Sequence, residues 1–147
     1  MRFRYTKLPD LLQPGSYHWY PMIQICLRHN NKGRNMHALL DSGAIDCIFP
    51  ASIGEVLGID VPSGRPKTYF GLAEQAAHGF QHTIRLQVTG FDHWITLDAG
   101  FIQSENVMPL LGQSGFFSHY QIIFERFRYQ VEIKTREQAL MRGRRGH

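Results

Sequence analysis

Hydrophobic and polar residues alternate along this chain in short runs with a period close to two. Residues 17–27 are rich in aromatic and β-branched types, with Ile23, Ile25 and Leu27 on alternate positions, which predicts a half-buried strand. Asn30-Asn31-Lys32-Gly33 supplies turn chemistry, so this strand and the apolar run 36–40 form a hairpin. A short strand is predicted over 45–49, then a brief helix from Pro50-Ala51-Ser52 to Leu57, with Gly58 placed to cap it. Strand-like runs at 67–70 and 80–88 flank a segment from Gly71 to Gly79, as in a long hairpin. Two more extended pieces surround Gly100, and the apolar strand 107–111 is closed by Gly112. A short helix is predicted to begin at 113–117, and runs 121–124 and 127–133 alternate as a final hairpin. Many short strands with regular turns predict an all-β barrel or sandwich.

The 147 residues fit one domain with a proper core, and 43% hydrophobic against 19% charged residues excludes intrinsic disorder. The predicted organisation is an N-terminal extension over 1–16, a β domain over 17–134 and a basic tail over 135–147. The formal net charge of +4 does not point to nucleic acid, because Arg136, Arg142, Arg144 and Arg145 concentrate the excess in that tail. Cys26 and Cys47 lie in apolar stretches, where reduced thiols behave as small buried hydrophobes. Neither a leader-like N-terminus nor a run of roughly 20 apolar residues is present, so no membrane span and a cytoplasmic location are expected.

One segment carries chemistry. Asp41-Ser42-Gly43-Ala44 ends the apolar run Ala38-Leu39-Leu40 and is followed at once by another. A carboxylate between two buried segments loses water on both sides, so it must be hydrogen-bonded, share a proton or be used chemically. The turn is therefore the candidate active site.

The order of parts resembles the retropepsin-like aspartic proteases over roughly residues 17–133. An apolar strand enters Asp41-Ser42-Gly43-Ala44, a flap-like hairpin follows, and Leu110-Leu111-Gly112 comes after a late apolar strand. The continuation Gly112-x-x-Gly115-Phe116-Phe117 is more similar to bacterial and cellular single-domain members than to viral ones. The resemblance implies a closed β-barrel with a flap hairpin and one or two short helices, acting as a two-fold homodimer. It implies that Asp41 is the catalytic carboxylate and that the Ser42 hydroxyl reaches across the two-fold axis. Gly43 would let an amide approach the carboxylate, and Ala44 would line the cleft. Phe70, Gly71 and Leu72 of the flap would touch substrate, while Leu110, Leu111 and Gly112 would run beneath the turn. Amide hydrolysis needs one group to accept a proton from water and another to donate one to the carbonyl oxygen, which two carboxylates sharing a proton supply. One such turn supplies half of that pair, so a chain of this length meets its own symmetry mate. The implied activity is that of an aspartic endopeptidase acting on a peptide or protein substrate, without cofactor or metal. Gln113-Ser114 stands where viral members carry an Arg-Asp pair, so their dimer-bracing ion pairs do not carry over.

Other readings are weaker. Asp98-Ala99-Gly100 lacks the hydroxyl residue of a second catalytic turn, and Asp46 and Asp92 read as surface or turn carboxylates. His78 and His82, the best-spaced histidine pair, would lie roughly 13 Å apart along a strand, too far to share one zinc. Ser42 lacks the Gly-x-Ser-x-Gly elbow of a nucleophile. Arg126 and Arg128 among aromatics fit a solvated strand face as well as a nucleic-acid surface. The alternative from another class is a catalytically inactive retropepsin-like module for binding or dimerisation.

Overall fold

The computed structural model describes residues 1–70 and 76–143, and it is built mainly of strands. In chain order these are β1 (Arg2–Arg4), β2 (Thr6–Pro9), β3 (Tyr17–Tyr20), β4 (Met22–His29), β5 (Lys32–Leu40) and β6 (Cys47–Pro50). Helix α1 (Ala51–Val56) and a 3₁₀ turn at Val61–Ser63 precede β7 (Arg65–Phe70), β8 (Ala76–Val88), β9 (Ile95–Ile102) and β10 (Leu110–Leu111). After a 3₁₀ turn at Phe117–His119 come β11 (Tyr120–Glu125), a third such turn, β12 (Gln130–Thr135) and α2 (Arg136–Gly143).

The main sheet has the order β4-β5-β10-β6-β9-β8-β7, and β4 pairs in addition with β8, so the sheet turns back on itself. Its interior is filled by the alternating positions that the sequence marks: Ile23, Ile25 and Leu27 of β4 are buried, while Gln24 between them and Arg28 after them face solvent. Phe49, Phe101, Leu86, Leu111 and Phe116 complete this core. Segment 1–16 contributes to the sheets, since β1 pairs with β12 and β2 with β3.

Several predicted elements are redrawn. The run 17–27 is two strands, because Pro21 has no N–H to give a ladder and the chain changes sheets there. In contrast, the two pieces expected around Gly100 are one strand, β9. Gly100 leaves room for the Tyr69 ring, which a Cβ at this position would strike, so the glycine marks a close crossing rather than a break. The strand expected over 107–111 shrinks to Leu110–Leu111. Pro109 cannot donate there, although its carbonyl still accepts from the Leu39 N–H at 2.9 Å. Helix α1 ends as expected, with Gly58 at φ +72° and its N–H on the Glu55 carbonyl at 2.9 Å.

Among the described residues, no helix is long and apolar enough to cross a membrane.

Candidate active site

Strands β5 and β6 are consecutive in the chain but not neighbours in the sheet, because β10 lies between them, parallel to β5 and antiparallel to β6. The Asp41 turn links the two strands around the end of β10, and β10 grips it with backbone. The Asp41 N–H donates to the Leu111 carbonyl at 3.1 Å, the Gln113 N–H to the Ala44 carbonyl at 2.9 Å, and the Ser114 N–H to the Ile45 carbonyl at 2.8 Å. The Gln113 side chain adds a bond from Nε2 to the Ser42 carbonyl at 2.7 Å. Gly112 is buried at the tightest point: a Cβ there would lie 2.8 Å from the Ala44 carbonyl oxygen and closer still to that of Asp46. Only glycine fits this crossing.

Within the turn, the Gly43 N–H donates to Asp41 Oδ1 at 2.9 Å, and the Ala44 N–H closes the turn on the Asp41 carbonyl at 3.2 Å. Asp41 is half-buried, whereas Ser42 and Gly43 are exposed. A carboxylate fixed by a backbone amide at the end of a sheet is held in one orientation and still reaches solvent. Such a group can accept a proton from water or coordinate a partner, but one carboxylate cannot donate and accept at once. Beneath it, the buried Cys47 thiol donates to the Ser114 carbonyl at 3.7 Å and accepts from the Gly112 N–H at 3.4 Å. Burial pushes this thiol up to about 11, so it is structural and not a nucleophile.

The structure thus brings Asp41, Ser42, Gly43 and Ala44 together with Leu110, Leu111 and Gly112. Of the flap residues, Phe70 ends β7 and is 80% exposed, while Gly71 and Leu72 lie outside the described residues. The hairpin strands themselves are present, with β7 antiparallel to β8 from Arg65↔Gln81 to Phe70↔Ala76.

No protein-family model matches this chain, and no curated protein does.

Residues that the pattern did not single out also contribute. Asp46, read as a surface or turn carboxylate, is half-buried and accepts from Lys67 Nζ at 2.8 Å. Tyr69 of β7 is 5% exposed, and its hydroxyl is buried without a hydrogen-bond partner among the described residues. Burial, reinforced by the nearby Asp46 carboxylate, pushes this phenol up to about 12. A cleft of about 440 Å³ opens beside Ile45, Asp46, Lys67, Asp98 and His119, and Asp41 does not line it. Asp98 accepts from the Thr83 hydroxyl at 2.6 Å, and Asp92 is exposed. His78 is exposed and bonded to Thr68, but His82, expected to be exposed, is half-buried and donates from Nε2 to the Val61 carbonyl at 2.8 Å. No group of three potential metal ligands occurs among the described residues.

Proposed function

We propose that this chain is an aspartic endopeptidase of retropepsin-like architecture, active as a homodimer in which two Asp41 carboxylates share a proton and activate water. The observation that carries this reading is β10 inserted between β5 and β6, which clamps Asp41-Ser42-Gly43-Ala44 by backbone hydrogen bonds at Leu111, Gln113 and Ser114. A turn fixed in this way costs no reorganisation when charge moves through it. The ring of pairings that returns from β8 to β4 supports the closed barrel expected of such a fold.

The homodimer follows from chemistry and from exposure. One carboxylate performs half of a general acid–base reaction, and a two-fold axis beside the turn supplies the other half. Ser42 is exposed, and its hydroxyl has no partner among the described residues, which leaves it free to bond a second copy. The β7–β8 hairpin would cover the substrate.

The test is mass-spectrometric mapping of cleavage in a diverse peptide mixture from acidic to neutral pH, with Asp41→Asn assayed in parallel and the oligomeric state measured under the same conditions. Cleavage that disappears in the variant is expected. A dimer without Asp41-dependent cleavage at any pH would favour the inactive binding module, and a strict monomer would exclude the shared dyad.

A further inference from the structure

Strand β7 lies at one edge of the main sheet, and among the described residues β8 is its only strand neighbour. Two side chains on one face of β7 tie it to the segment that follows the acidic turn and to β9. Lys67 reaches Asp46, five residues beyond Asp41 and just before β6, with Nζ–Oδ1 at 2.8 Å. The two side chains are 33% and 24% exposed, so the pair is partly sheltered from water and salt. Tyr69, two residues farther along, covers Gly100 of β9, and Lys67 Nζ lies 5.4 Å from the centre of its ring. Because the Tyr69 hydroxyl has no partner among the described residues, Tyr69 contributes packing, which is non-directional. The Lys67–Asp46 pair is then the directional link between the hairpin and the turn segment. Asp46 in turn belongs to the backbone that Gly112 crosses so closely.

We propose that Lys67 is a positioning residue: through its ion pair with Asp46 it fixes strand β7 against the segment that follows the acidic turn and so sets how β7 and β8 meet a bound peptide. The inference rests on the aspartic protease reading for its consequence in catalysis, and on geometry alone for its consequence in the fold. Lys67 touches no reacting atom in this scheme. Its loss loosens β7 from the segment that carries Asp46 and leaves the dyad intact, so substrate affinity changes and the chemical step does not.

The experiment uses Lys67→Met, which keeps the apolar stem, Asp46→Asn, and the charge exchange Lys67→Asp with Asp46→Lys. Amide hydrogen exchange is read over 65–70 and 76–81, and KM and kcat are read on a cleaved peptide. Each single variant is expected to raise exchange in these strands about fivefold, the scale of one partly sheltered ion pair, and to raise KM similarly with kcat within about twofold. The charge exchange is expected to restore most of both losses. Unchanged exchange in both single variants, or a charge exchange no better than either, overturns the proposal. Should the wild type cleave nothing, the protease reading fails on its own, and the exchange rates still decide whether Lys67 holds the hairpin.

Discussion

Adding one methyl group at Gly112 measures how tightly β10 holds the acidic turn. In Gly112→Ala the new Cβ would sit 2.8 Å from the Ala44 carbonyl oxygen and from the Asp46 carbonyl carbon, where ordinary contact begins at 3.4 Å. Both neighbours are backbone, so no rotamer change relieves the overlap, and the strand or the turn must shift by more than roughly 0.6 Å, the difference of those two distances, because the Asp46 carbonyl oxygen is closer still. Overpacking of this kind costs about 1–3 kcal/mol, and stretching the Asp41–Leu111 and Gln113–Ala44 bonds adds about 1 kcal/mol. A total near 2–4 kcal/mol lowers a urea midpoint by about 1–2 M, for a slope near 2 kcal/mol/M. Gly43→Ala is the control, because its Cβ would meet only Asp41 Oδ1, at 3.3 Å, on an exposed turn. Its expected cost is below about 1 kcal/mol. Equilibrium urea unfolding of both variants decides the matter. A Gly112→Ala protein within about 0.5 kcal/mol of wild type would refute the clamp.

Two more predictions concern buried phenols and the thiol. Tyr69→Phe removes a buried hydroxyl that has no partner among the described residues, so stability should stay level or rise by up to about 1 kcal/mol; a loss larger than that, in thermal or urea unfolding, would mean the hydroxyl is satisfied. Burial raises Cys47 from 9.0 to about 11, and Tyr69 and Tyr120 from 10.0 to about 12. Each group keeps in the folded state a proton that the unfolded chain releases, so the stability they contribute is complete below about pH 9 and is lost as pH rises through 11–12. Unfolding midpoints measured from pH 8 upward should therefore begin to fall near pH 9, and a flat profile to pH 11 would contradict the burial of these groups.

The all-β character, the acidic turn between two apolar runs, and the hairpin of β4 and β5 were legible along the chain. These rest on local rules: the two-residue period of Ile23, Ile25 and Leu27 marks a buried face, and Asn30, at φ +51°, takes the left-handed turn that asparagine tolerates. What surrounds that turn depends on the whole fold. Strand β10 runs between β5 and β6 because Leu110 pairs with Leu39, 71 positions away, and no local period announces such a pairing. The Lys67–Asp46 pair and the Tyr69–Gly100 crossing likewise join segments 21 and 31 positions apart. Gly100 looked like a break because glycine lowers strand propensity, but a ring from another strand fills the space its missing Cβ leaves. Pairings of this kind are set by shape and by the satisfaction of backbone groups across the fold, and neither is written in any one stretch of sequence.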